Sequence, residues 1–84
     1  MSNLIERISV HPNVCHGQPC IRNTRIMVYL VLEMLEQGAT LREIRQAYPR
    51  LTALHIKAAL HYAAGVLRER EFDPAFLKFY EISA

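Results

Sequence analysis

Two arginines, Arg22 and Arg25, bracket a tight polar turn, Arg22-Asn23-Thr24-Arg25. Gly17-Gln18-Pro19 leads into it, and Ile26-Met27-Val28 begins an unbroken apolar run after it. A guanidinium stays charged and presents a planar fork of donors that suits phosphates and carboxylates. A turn set against a buried segment holds such groups in fixed positions. Neither arginine belongs to a nucleophile, metal-ligand or phosphate-loop motif, so the turn points to recognition and not to catalysis. The competing reading is structural: both arginines pair with Glu6, Glu33 or Glu36 and hold the N-terminal arm on a helix. Thr24 either caps the first helix or bonds the turn backbone.

A second basic set lies further on. Arg50, Thr52, His55 and Lys57 surround the start of a long helical pattern. A capped short helix, a turn around Pro49-Arg50-Leu51 and a longer helix make a helix-turn-helix layout, which presents the start of its second helix to the DNA major groove. Basic and short polar side chains there reach phosphates and base edges. The same layout also serves as a hairpin used only for packing.

Other chemistry-bearing residues carry less. His11, Cys15, His16 and Cys20 fall close together and are of zinc-ligating types. Their Cys-x4-Cys spacing is not a common structural pattern and Pro19 restricts the loop, so they read as loop residues with one buried Cys, and no metal is expected. A disulfide fits the spacing, but a cytosolic chain keeps both thiols reduced. His55 and His61 lie six apart, on different helix faces. Glu33 and Glu36 read as a solvated or ion-paired edge. No active site and no cofactor are expected.

Near the C-terminus Phe72, Phe76, Leu77, Phe79 and Tyr80 bring large apolar side chains close together. Exposure of so apolar a segment is unfavourable. Either it closes the core of this chain or it docks in a groove of a second copy or a partner.

A small fold must position these residues. An 84-residue chain holds one domain and one core. Hydrophobic content of 51% against 21% charged excludes a disordered chain. The longest apolar run, residues 26–32, falls short of the roughly 20 residues that span a bilayer. The N-terminus lacks the basic-then-apolar layout of a signal peptide, so a cytoplasmic location is expected. A net charge of +2 is modest for a nucleic-acid binder, although Arg dominates the basic residues.

Period-two alternation predicts a short strand over 4–10, and a second over 20–22. Asn23 tolerates the left-handed angles of a tight turn. The first helix is expected over 27–37, with Gly38 as its stop. Thr40-Leu41-Arg42-Glu43 is a capping-box pattern for a helix to about Tyr48, with Leu41, Ile44 and Ala47 on its apolar face. Pro49 ends that helix. Thr52 caps a third helix over 53–70, with Ile56, Ala59, Leu60, Ala63 and Leu67 inward. The prediction is a mostly α, three-helix, helix-turn-helix-like domain over 1–72, with a short β N-terminal arm, and an apolar tail over 73–84.

The string His11-Pro12, Gly17-Gln18-Pro19, residues 21–28, Gly38-Ala39-Thr40, Glu43-Ile44, residues 48–52, Ile56 and residues 58–63 resembles the domain-of-unknown-function 433 family. The resemblance spans roughly residues 5–64 and implies a helix-turn-helix-like domain with a β arm. It further implies an antitoxin of a type II toxin–antitoxin pair, which neutralises a PIN-like ribonuclease toxin and binds operator DNA as a homodimer. Arg22, Thr24 and Arg25 match the family's Arg-Gly-Thr-Arg motif. Asn23 replaces its Gly, Met27 a frequent Pro, and Ala53-Leu54-His55 an acidic pattern, which removes the cap-side acid. On this reading Arg50, Thr52, His55, Lys57, Arg22 and Arg25 contact DNA. Phe72, Phe76, Leu77, Phe79 and Tyr80 contact the toxin or close the dimer. The alternative is a protein-interaction module without DNA binding.

Overall fold

The computed structural model describes residues 4–69. The N-terminal arm opens with a 3-10 turn, Ile5–Arg7, in which the Arg7 N–H donates to the Leu4 carbonyl at 3.0 Å. β1 (Ile8–Ser9) then pairs antiparallel with β2 (Cys20–Ile21), Ile8 opposite Ile21 and Ser9 opposite Cys20. The strand expected over 4–10 is therefore cut to its centre. Strand periodicity would put Glu6 on the same face as Leu4 and Ile8. The 3-10 turn buries Leu4 and Ile8 and leaves Glu6 exposed, while Val10 also faces outward.

After β2 the chain reverses within four residues. The Ile21 N–H donates to the Ile26 carbonyl at 2.9 Å, and Cys20 bridges Met27. Asn23 sits at φ 63° in this loop, a conformation Asn adopts more readily than most side chains.

α1 (Val28–Glu36) starts at Met27, which makes no side-chain cap bond. It ends in a paired motif: the Gly38 N–H donates to Leu35 and the Ala39 N–H to Met34, both at 3.0 Å, with Gly38 at φ 86°. Those two bonds satisfy carbonyls that the helix end would otherwise leave open. α2 (Leu41–Ala47) forms the expected capping box. The Glu43 N–H donates to the Thr40 hydroxyl at 3.2 Å, and the Thr40 N–H to the Glu43 carboxylate at 2.9 Å. That bonding holds the Glu43 carboxyl below its ordinary value. α3 (Ala53–Glu69) follows the turn at 48–52.

Leu4, Ile8, Ile21, Val28, Val31, Ile44, Leu51, Ala58 and Ala59 form one core drawn from the arm and all three helices. Full burial of side chains such as Ile21, Ile44 and Leu51 contributes about 1.5–3 kcal/mol each. α3 packs mainly on α1, on the 3-10 turn and on β1.

The inward face of α3 follows the sequence expectation at Ile56 and Ala59 and departs from it at the leucines. Ala58 and Ala59 are buried, whereas Leu60 and Leu67 are 50% and 56% exposed. Small side chains let α3 come close to the arm, and the larger leucines turn outward with Leu54. On α2 only Ile44 of the expected face is buried, with Leu41 and Ala47 exposed. The tail residues Phe72, Phe76, Leu77, Phe79 and Tyr80 lie outside the described residues.

Candidate nucleic-acid interface

The loop between β2 and α1 is held by its own polar atoms. The Thr24 hydroxyl donates to the Ile21 carbonyl at 2.7 Å and accepts the Ile26 N–H at 3.0 Å. Thr24 thus serves the turn backbone and leaves the start of α1 to Met27. The Arg22 N–H donates to the Arg7 carbonyl at 2.7 Å, continuing the β pairing. The Arg22 side chain crosses to the arm, where Nε donates to the Glu6 carbonyl and Nη2 to the Ile8 carbonyl at 3.1 Å.

Arg22 therefore does hold the arm, but through backbone carbonyls. Among the described residues, neither Arg22 nor Arg25 pairs with Glu6, Glu33 or Glu36. The positive charge of Arg22 is fixed in place, and no carboxylate of the described residues neutralises it.

Arg50 joins this loop from a distant part of the chain. The turn between α2 and α3 is anchored by buried Leu51, whose N–H donates to Tyr48 at 3.0 Å. Arg50, next to that anchor, reaches outward and donates from Nη1 to the Asn23 carbonyl at 3.4 Å. The two turns thereby meet along one open groove of about 570 Å³. Arg22, Asn23, Thr24 and Arg25 line it from one turn, Arg50 from the other, and Ser9, His11 and Val14 from the arm. No carboxylate lines it among the described residues. Such a groove favours anions, because three permanent charges stand together with no counter-charge among the described residues that line it.

Thr52 and His55 have another role. The Thr52 N–H donates to His55 Nδ1 at 3.1 Å, and the His55 N–H donates to the Thr52 hydroxyl at 3.4 Å. This is the reciprocal pattern of a capping box, with imidazole in place of the usual carboxylate. His55 so replaces the acid lost at this position. Burial, and then the positive charge of Arg7, hold the imidazole below its ordinary value. Lys57 is exposed but does not line the groove. Of the six residues expected at DNA, Arg22, Arg25 and Arg50 converge, while Thr52 and His55 close the start of α3.

Ser9 and His11 were not among the expected contacts. Their place follows from the arm's pairing with β2, which no local motif signals. A second shallow groove runs along α2, lined by Leu41, Arg42, Arg45, Gln46 and Pro49. Its two arginines flank Glu43 on a single helix, so it lacks the convergence of separate turns.

In the loop before β2, Cys15 donates to the Arg25 carbonyl at 3.5 Å and Cys20 to the Gln18 carbonyl at 3.4 Å. Both cysteines are free thiols. Burial pushes the Cys20 thiol up to about 11, and the neighbouring Cys15 thiol adds to the shift. A thiol protonated at neutral pH is a poor nucleophile and a poor metal ligand. Among the described residues, no group of three or more His, Cys, Asp or Glu side chains is arranged to hold a metal ion. Nor is any described helix long and apolar enough to cross a membrane.

Fold and groove define a small, mostly helical, helix-turn-helix-like domain with a β arm and an arginine-lined seam. The chain belongs to the domain-of-unknown-function 433 family, described as "Protein of unknown function (DUF433)", whose sequence profile matches residues 8–63. It is similar to a DUF433 member protein from Anabaena variabilis ATCC 29413, known from a crystal structure at 2.00 Å resolution. The two share 41% sequence identity with a TM-score of 0.68, over 75% of this chain and 62% of that one. This chain therefore spans less than two thirds of its relative's length. No curated protein matches.

Proposed function

We propose that the chain is a non-enzymatic, antitoxin-type regulator that binds operator DNA through the arginine seam and neutralises a PIN-like ribonuclease toxin. The observation that carries the DNA part is the convergence of Arg22, Arg25 and Arg50 from two separate turns, without a carboxylate among the described residues that line the groove. The turn that supplies Arg50 precedes α3, the second helix of the helix-turn-helix layout, so the seam borders the part of such a unit that approaches a duplex. The toxin part rests on the antitoxin role that the family resemblance implies and on the apolar C-terminal sequence that contains Phe72, Phe76, Leu77, Phe79 and Tyr80. As a homodimer the chain would offer two seams to a symmetric operator.

A second reading has its own observation. Leu60 and Leu67, seven apart on one side of α3, leave an apolar strip there, 50% and 56% exposed. That face favours a protein-interaction module without DNA binding. Co-expression with the product of the neighbouring reading frame, and a mobility shift on the DNA upstream of the coding sequence, separate the two. Co-purification with a PIN-like protein together with a shifted duplex supports the regulator. Co-purification without any shift favours the interaction module, and neither result refutes both.

A further inference from the structure

The seam's polar groups differ in how far they are already committed, and that difference bears on which part of a nucleic acid they meet. Arg22 spends Nε and Nη2 on the Glu6 and Ile8 carbonyls, so its charge is fixed but much of its donor fork is occupied. The guanidinium of Arg25 makes no hydrogen bond among the described residues, and that of Arg50 makes one long bond at 3.4 Å. The Thr24 hydroxyl is taken up by the turn itself.

At the start of α3, Thr52 and His55 bond to each other. Burial and the charge of Arg7 also hold the His55 imidazole below its ordinary value. The charged groups left to meet a ligand in the seam are therefore the guanidinium donors of Arg25 and Arg50, beside the side chains of Ser9, His11 and Asn23. A guanidinium can donate to a guanine edge or to a phosphodiester, but only the phosphodiester carries the negative charge that a cluster of cations attracts.

We infer that the seam takes the sugar–phosphate backbone of a nucleic-acid strand, with Arg25 and Arg50 as its two phosphate ligands and Arg22 as a fixed supporting charge. The contacts of Arg25 and Arg50 to phosphate are sequence-independent. The inference rests on the nucleic-acid reading above and names the part of the ligand that the seam contacts. Discrimination between operators then falls to DNA shape, or to the spacing of two copies on one duplex.

The test is a fluorescence-anisotropy titration of the whole chain. The probes are a labelled duplex from upstream of its coding sequence, a scrambled duplex of equal length and composition, and a labelled polyglutamate. Salt is varied between about 50 and 200 mM. The double variant Arg25→Ala/Arg50→Ala is expected to lose about tenfold or more in affinity at the lower salt, equally on both duplexes. The slope of log affinity against log salt should fall by about 2. Lys57→Ala is expected to stay within about twofold of the parent chain, since Lys57 lies off the seam. The charge-preserving Arg25→Lys/Arg50→Lys keeps most of the affinity and guards against a folding defect in the alanine pair, with circular dichroism as the check.

A loss confined to the upstream duplex would overturn the inference while leaving DNA binding in place, as would an unchanged salt slope. Polyglutamate that binds as tightly as duplex, with the same dependence on Arg25 and Arg50, would assign the seam to an acidic protein segment. A parent chain that binds neither duplex would remove the nucleic-acid reading itself.

Discussion

Arg50 donates to the carbonyl of Asn23 at 3.4 Å across 27 positions of sequence, and this contact joins the α2–α3 turn to the β2–α1 loop. Each turn is built independently. Buried Leu51 and its bond to the Tyr48 carbonyl fix one, and Thr24 with Asn23 fixes the other. Their meeting gathers positive charge that neither turn holds alone.

Asn23 is the residue on which the loop reversal depends. At φ 63° a side chain branched or bulky at Cβ is disfavoured, whereas Asn and Gly are accepted. Asn23→Ala should lower stability by about 1 kcal/mol, and Asn23→Gly should leave it within about half of that. Urea unfolding followed by circular dichroism measures both. Equal stability of the Ala variant would mean that the left-handed turn is not formed.

Arg22 should behave as a structural residue. Arg22→Ala removes two bonds to the arm's carbonyls and is expected to cost about 1 kcal/mol at this exposed position. Arg22→Lys should recover only part of that loss, because a single ammonium does not reproduce the planar fork. Hydrogen exchange of the Arg22 amide, which pairs with Arg7, reports on the arm directly. Unchanged protection in both variants would contradict the strut.

His55 gives the fold a pH dependence of definite sign. Its folded pKa is depressed below the ordinary 6.5, first by burial and then by Arg7. As pH falls from 6.5 toward the folded value, the unfolded chain binds more protons than the folded chain. The contribution of His55 to stability is therefore present above that window and lost as pH drops through it. Protonation also takes the Nδ1 lone pair that accepts the Thr52 N–H. Melting temperatures across this range should fall toward acid in the parent chain and fall less in His55→Ala, which starts about 1 kcal/mol lower from loss of the cap. Parallel profiles for the two chains would contradict the cap.

The inward face of α3 gives a packing test. Ala59→Leu should destabilise by about 1–3 kcal/mol through overpacking, because Ala59 is fully buried where α3 joins the core. Leu60→Ala should change the stability of the dilute chain by no more than about 0.5 kcal/mol. The reverse ranking, measured by urea unfolding, would restore the face that leucine spacing suggested.

What the sequence disclosed follows the range of the interactions. Gly38 as a stop, the Thr40–Glu43 box and the break at Pro49 each depend on residues within one helical turn, and all three stand where their local pattern put them. The arm over 4–10 was misread because alternation ignored the cost of burying Glu6. The α3 face was legible at Ile56 and Ala59 but not at Leu60 and Leu67, because leucine is the more hydrophobic side chain, while close approach to the arm selects for small ones. Thr-x-x-His at residues 52–55 carried a cap signal that a search for Glu or Gln passes over. The gathering of Arg50 with Arg22 and Arg25 had no local signal, since it depends on a contact between turns 27 positions apart.

The central claim is that the seam of Arg22, Arg25 and Arg50 binds DNA. Its most direct measurement is the affinity of the chain and of Arg50→Glu for a labelled duplex from upstream of the coding sequence, at about 50 mM salt. Saturable binding by the parent chain is expected, with loss of that binding in Arg50→Glu and an unchanged helical circular-dichroism signal. Equal binding by both chains, or none by the parent, would contradict it.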